Sequence, residues 1–225
     1  MIDVLASMAV IMVLIALLLP SLSTIRETAR RVVCGSNVRQ VGLGLAMYAD
    51  DYEGFLPPSR FGSPNQTAVH QTTVVRALSQ SAATGQSYWD GMGILYQADY
   101  IVAPGVFYCP SHHGEHPYSK YVTRWPGAGT EIISNYQFRV GVSSLLSGLR
   151  SEAALVADSL RTQADFNHTI GCNFLRADLS ATWYTDSKGE LVAGLPLTEA
   201  DVQAATLVRT AWEVLDGIDA NGDPR

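Results

Sequence analysis

The chain has 225 residues, 47% of them hydrophobic, and a formal net charge of -6; with mean hydropathy slightly above zero, this suits one globular domain plus an apolar segment. The acidic balance, with no Lys/Arg cluster longer than the Arg30 and Arg31 pair, argues against a nucleic-acid footprint. Three cysteines, Cys34, Cys109 and Cys172, are too few and too scattered for a disulfide scaffold or a paired Cys-x-x-Cys zinc site.

The opening run, IDVLASMAVIMVLIALLLPSL, holds one carboxylate, Asp3, and then no charge until Arg26. Its apolar part is nineteen residues, 4–22, which as a helix rising ~1.5 Å per residue is just long enough to cross a bilayer core. No basic residue precedes it, so it lacks the n-region of a cleaved secretory signal. By the positive-inside rule, Arg26, Arg30 and Arg31 behind it would leave the body in the cytoplasm. After Pro20 the pattern turns amphipathic: Leu22, Ile25, Ala29, Val32, Val33, Val38, Val41, Leu45 and Tyr48 recur at three- and four-residue steps between polar residues. One helix over residues 3–50, kinked at Pro20, is expected. Gly42 and Gly44 are costly inside it unless a strand packs closely on that face.

Gly54, Pro57, Pro58, Gly62 and Pro64 then end the helix in a loop. Residues 67–78 fit a short helix or a strand, 79–86 a loop, 91–100 a short helix and 106–108 a brief strand. Residues 121–124, 134–140 and 153–157 read as strands, and 172–175 with 180–184 as a hairpin around Asp178. Residues 198–215 read as a last helix, with Thr198 as N-cap and Asp201 three residues on. Antiparallel strands against an amphipathic half-helix give an α+β class. The expected organisation is a membrane or filament-core half-helix (1–22), an amphipathic half-helix (23–52) and an α+β head (53–225).

The one dense cluster of ligand types is Cys109, His112, His113, Glu115 and His116, within eight residues. Thiolate and imidazoles at that density are close enough for zinc or another transition metal. The cluster lacks His-Glu-x-x-His spacing, and Pro110, Gly114 and Pro117 make it a loop; it is either a metal site or an ordinary exposed loop. His168 and Asp178 form either a base with its orienting carboxylate or, the favoured reading, a structural pair fixing the hairpin edge. Asp216, Asp219, Asn221 and Asp223 space oxygen ligands around a glycine without the EF-hand order, giving a candidate calcium site or a frayed acidic tail. Cys34 and Cys109 are a candidate disulfide in an oxidising compartment, or small core residues. No nucleophile elbow, phosphate loop or dinucleotide fingerprint is present, so no enzyme is expected.

The opening resembles the N-terminal segment of type IV pilins and type II secretion pseudopilins. Met1-Ile2-Asp3-Val4-Leu5 aligns with their Phe-Thr-Leu-Ile-Glu-like run, Asp3 standing at the glutamate, and an apolar half-helix with a proline and an amphipathic half-helix follow. A narrower likeness, to a planctomycete-type prepilin-like subgroup marked by His, nine residues and Asp-Gly, rests on Cys34-Gly-Ser-Asn37 to Leu45, Met47 to Pro58, Gly91 to Tyr96, Val106 to Ser111, and His168 with Asp178. Leu179 stands where that subgroup has its glycine. The peptidase-recognised Gly-Phe pair and basic leader of the family are missing ahead of Met1, which is read as a leader lost from the sequence rather than as a reversed topology.

The resemblance implies a pilin-like fold, a long kinked helix packed on an antiparallel sheet head; the C-terminal helix lies outside the resemblance and is an addition to it. It implies a structural filament subunit, single-pass in the inner membrane with its head on the periplasmic side before assembly. Asp3 would pair with a neighbour's terminal amine, and Pro20 would set the bend. Its partners would be itself, other pilin or pseudopilin subunits, inner-membrane lipid and, where a leader exists, prepilin peptidase. Calcium is the one cofactor the family suggests, at the C-terminal oxygen ligands. The alternative is a membrane-tethered metal-binding module or metalloenzyme using His112, His113 and His116.

Overall fold

The computed structural model describes residues 2–62, 72–78, 87–127, 129–139, 145–158 and 160–217, and within its first helix leaves aside the side chains of residues 2, 5, 6 and 17–21. The chain order begins with helix α1 (Ile2–Asp51), strands β1 (Val74–Leu78) and β2 (Ser87–Trp89), and helix α2 (Gly93–Gln97). A 3-10 turn at Pro104–Phe107, helix α3 (Tyr118–Tyr121) and strands β3 (Ile132–Ile133), β4 (Tyr136–Phe138) and β5 (Ala154–Asp158) follow. Strands β6 (Gly171–Arg176) and β7 (Ala181–Thr185) and helices α4 (Glu190–Ala193) and α5 (Ala204–Asp216) complete it. Two antiparallel sheets, β2-β1-β3 and β4-β5-β6-β7, and the long helix make this an α+β protein, as the pattern predicts.

The helix runs unbroken through Pro20 to Asp51. Its C-terminal half buries Cys34, Val38, Val41, Leu45 and Tyr48, alternating steps of four and three that place one stripe on one face. Complete burial of Val38, Val41 and Leu45 contributes ~1.5–3 kcal/mol for each against exposure. The glycines fit the close packing expected: a Cβ on Gly42 would meet Leu175 of β6, one on Gly44 would meet Ile101 and one on Gly35 would meet Asn173. The stripe begins later than the pattern suggests. Leu22, Ile25, Val32 and Val33 are exposed, at 44%, 60%, 66% and 50%, because the head meets the helix only on the face that carries Glu27, Arg31 and Cys34.

The four-stranded sheet lies between α1 and α5. Along β6 the period of two assigns Asn173 and Leu175 to α1, while Cys172 and Phe174 join Trp212, Val208 and Leu215 in the core beneath α5. The three-stranded sheet covers a second part of the α1 core with an aromatic group in which Trp125 contacts Trp89, Tyr96, Phe107 and Tyr108. Arg76, almost wholly buried in β1, stacks on Trp89 and donates to the carbonyls of Arg124, Gly127 and Thr130. Those bonds compensate a charge that would otherwise be expensive inside.

Several expected elements differ. Val106 and Phe107 belong not to a strand but to the 3-10 turn opened by Pro104, with Tyr108 its extended C-cap; the fixed φ of proline suits the first turn of a helix. Of residues 121–124, read as a strand, Tyr121 ends α3 and 122–124 follow it as turn; four residues of alternation cannot distinguish a strand from a helix end. The last helix starts at Ala204 rather than Thr198. Asp201 instead closes a turn, its Oδ1 accepting from the Gln203 amide at 2.9 Å and its own amide donating to the Thr198 carbonyl at 3.2 Å. Residues 79–86 lie outside the described residues. Among the described residues no helix is long and apolar enough to cross a membrane.

Gly93 starts α2 against β1, where any Cβ would collide with the Val75 backbone carbonyl. Gly93→Ala is therefore expected to destabilise the head by about 2–3 kcal/mol, read from the urea midpoint at constant m-value; an unchanged midpoint would show that α2 does not need this approach.

Candidate functional site

Where α1 emerges from the head, four chemically active side chains from four separate segments meet. They are Cys34 of α1, Cys109 after the 3-10 turn, Asp158 at the end of β5 and His168 ahead of β6, all buried, with one potential ligand atom of each within 4.8 Å of the others. Each position follows from local structure. Cys34 opens the buried helix stripe. Asp158 ends a wholly buried strand, paired with Tyr136 across β4. His168 is fixed by an antiparallel bridge to Gly171, and Cys109 is held by its amide donating to Asn135 Oδ1 at 3.2 Å.

The contacts within the cluster are short. Cys34 Sγ donates to Asp158 Oδ2 at 2.8 Å and lies 3.4 Å from the Tyr136 hydroxyl. His168 Nε2 stands 3.4 Å from Cys109 Sγ and 3.4 Å from Asp158 Oδ2. Its other nitrogen, Nδ1, donates to Glu27 Oε1 at 2.6 Å, and Glu27 also accepts from Ser111 Oγ at 2.8 Å. Asn173 Nδ2 donates to Asp158 Oδ2 at 3.3 Å. Asp158 Oδ1, fully buried, has no hydrogen-bond partner among the described residues, an expensive arrangement for a carboxylate. A cleft of about 370 Å³ lined by Ser23, Glu27, Arg31, His168 and Trp183 reaches the cluster from outside.

Electrostatics of the protein alone favour a charged imidazole. Burial opposes charge on His168, but its hydrogen bonds to Asp158 and Cys34, the Asp158 charge and then Glu27 outweigh burial and push it up to about 11. For Glu27, burial is likewise outweighed by the His168 and Ser111 bonds, and its pKa falls. Burial drives the Cys34 thiol well above the ordinary range. Two sulfurs, an imidazole nitrogen and a carboxylate oxygen make a donor set suited to a transition metal; without one they form a hydrogen-bonded knot.

The residues singled out in the sequence are redistributed. Cys34 and Cys109 do come together, but as free thiols, each occupied by another partner, and no bridge joins them. The histidine loop separates from Cys109. His112 Nδ1 donates to Asn167 Oδ1 at 2.6 Å, His113 Nδ1 bonds the Ser111 carbonyl at 3.3 Å, and His116 Nδ1 bonds the Tyr121 hydroxyl at 2.6 Å. His112 and His116 border a cavity of about 10 Å³ shared with Arg161 and Asp165, room for one water at most. His168 and Asp178 do not pair. The six residues of β6 lie between them and rise ~20 Å; Asp178 instead closes the hairpin, its Oδ1 accepting from the Ser180 amide at 2.9 Å.

Of the candidate calcium ligands, Asp216 is engaged by Arg139 at 2.6 Å and Arg150 at 3.7 Å, while Asp219, Asn221 and Asp223 lie outside the described residues. Asp3 is exposed at the start of α1. Two participants escaped the sequence reading. Asp158 carried a faint signal, a lone carboxylate at the end of the apolar run Ala154–Asp158. Glu27 carried none, since it looks like any polar residue on a helix surface.

Beside the histidine loop, His116, with Nε2 3.8 Å away, and Arg161, at 2.5 Å, hold the Glu199 carboxyl down to about 2. A depressed folded-state pKa gives stability that is present above the ordinary value of 4.5 and lost as pH falls toward about 2. Glu199→Gln should therefore flatten the acid limb of stability between those values, followed by circular dichroism; an acid limb as steep as in the parent chain would remove Glu199 from the account.

No curated protein and no solved structure matches the chain. The family model described as a protein of unknown function, DUF1559, matches residues 23–137, a stretch that includes Cys34 and Cys109 and stops short of Asp158 and His168. With more than half of its length matched, the chain belongs to the DUF1559 family.

Proposed function

We propose that the chain is a non-enzymatic structural subunit of a type IV pilus-like or type II secretion pseudopilus filament. It would be anchored in the inner membrane by the first part of α1, with its head on the periplasmic side, before joining the filament. The observation that carries this reading is the bare stem. Val4, Met8, Val10, Ile11, Met12, Val13, Leu14 and Ile15 are each at least half exposed, on every side of the helix. A helix that is apolar all round needs to be covered by lipid or by other helices, and among the described residues the head leaves these side chains at least half exposed. Membership of the DUF1559 family is consistent with a pilin-like surface protein. The hairpin turn supports the narrower subgroup: Leu179, at the subgroup's glycine position, holds φ +66°, the left-handed conformation for which glycine is the usual residue.

Assembly in this reading is burial of the stem against neighbouring stems, steered by Asp3. A carboxylate carried into such apolar surroundings is costly unless a cation meets it, and a neighbour's terminal amine supplies one. Asp3→Ala should abolish recovery of the protein in the sheared filament fraction while leaving it in the membrane fraction. Undiminished incorporation would refute the pairing, and a parent chain never found in polymer would refute the filament role itself.

A further inference from the structure

We propose that Cys34, Cys109, Asp158 and His168 bind a structural zinc ion that fastens α1 to the head. This goes beyond the filament reading and stands independently of it.

The distances carry the argument. A tetrahedral zinc, with sulfur at ~2.3 Å and nitrogen or oxygen near ~2.1 Å, sets donor edges of about 3.4 Å for N···O and about 3.6 Å for N···S and S···O. The chain already holds His168 Nε2 at 3.4 Å from Asp158 Oδ2 and at 3.4 Å from Cys109 Sγ. The Cys34 to Asp158 edge, at 2.8 Å, must open by under ~1 Å for a tetrahedron, and the other donor pairs all lie within 4.8 Å. That short edge exists because a thiol proton lies in it. On binding, the two thiol protons and the Nε2 proton leave for solvent, and the ion takes their place among two thiolates, a neutral imidazole and a carboxylate.

The surroundings are those of a metal site. Nδ1 of His168 is held by Glu27 at 2.6 Å, the carboxylate–histidine–metal arrangement that fixes tautomer and ring orientation. Asn173 donates to the ligating carboxylate, and the Tyr136 hydroxyl lies against Cys34 Sγ. Asp158 Oδ1, without a hydrogen-bond partner among the described residues, leaves the carboxylate a free lone pair for an ion. Thiolates select against calcium and magnesium. Four protein ligands, none more than 4% exposed, leave no open coordination position, so the role is structural rather than catalytic. The ligands span residues 34 to 168, so one ion ties the helix to three separate parts of the head.

The full chain, purified in detergent without chelator, should hold one zinc per molecule by elemental mass spectrometry. Exchange for Co²⁺ should give the visible bands of tetrahedral cobalt with thiolate charge transfer. Cys34→Ser and His168→Ala should each lose the metal, whereas Cys172→Ala, buried in the other core, and His113→Ala should keep it. Glu27→Gln, which changes the acceptor of His168 Nδ1 and of Ser111 Oγ but none of the four ligands, should weaken zinc binding by about 10–100-fold while the circular dichroism spectrum is unchanged. Three results overturn the proposal: metal-free protein whose Cys34 and Cys109 alkylate without reductant, the same two thiols blocked until reduced as in a disulfide, or stoichiometric metal that survives Cys34→Ser. The cobalt spectrum of the parent chain decides the matter even if the ligand variants fail to fold.

Discussion

The seat of α1 on the β6–β7 hairpin is the contact on which the other parts depend. Gly35 and Gly42 let the helix backbone approach Asn173 and Leu175, and the Cys34 to Tyr48 stripe closes over the sheet. On the sheet's other face, α5 covers Cys172 and Phe174. The period-two alternation of a single strand therefore joins two cores, and displacement of β6 would open both. Towards its start, Val4, Met8 and residues 10–15 of the helix are at least half exposed. The same 50-residue element is a packed core helix at one end and an uncovered apolar rod at the other.

The polar cluster occupies the boundary between those regimes. At the last turn before the helix leaves the head, apolar packing gives way to Cys34, Arg31 and Glu27. Arg31 lies over the Trp183 ring, 4.3 Å from its centroid, and Glu27 reaches His168 and Ser111. Directional contacts suit this position because hydrophobic packing alone is tolerant of small rotations, whereas a charge-assisted bond of 2.6 Å is not. Buried ionisable groups are costly when any partner is lost. The cluster thus ties Cys34 and Glu27 of the helix to Asp158, His168 and Ser111 of the head.

The histidine loop illustrates why density in sequence is a poor guide to chemistry in space. His112, His113 and His116 lie close along the chain, yet their rings turn to Asn167, to the Ser111 carbonyl and to Tyr121. Cys109, at the edge of the same run, faces residues far away in the chain. A turn rotates successive side chains to different sides, so neighbours in a loop converge only where its backbone path is made for it.

The sequence by itself determined the long helix, its change from apolar all round to striped, the α+β class and the β6–β7 hairpin. These are set by local periodicity and by turn residues, which act over a few positions. It also marked Gly42 and Gly44 as places of close packing, because nothing else explains glycine inside a good helix. Only the tertiary structure decided that Cys34 and Cys109 meet as thiols around Asp158 and His168, that Asp178 serves the turn instead of His168, and that Glu27 faces inward at the end of the stripe. Those outcomes depend on pairings across 100 residues or more, as between Cys34 and Tyr136 or Glu27 and His168. No local pattern encodes such distances; they are fixed by which face of α1 the sheet takes.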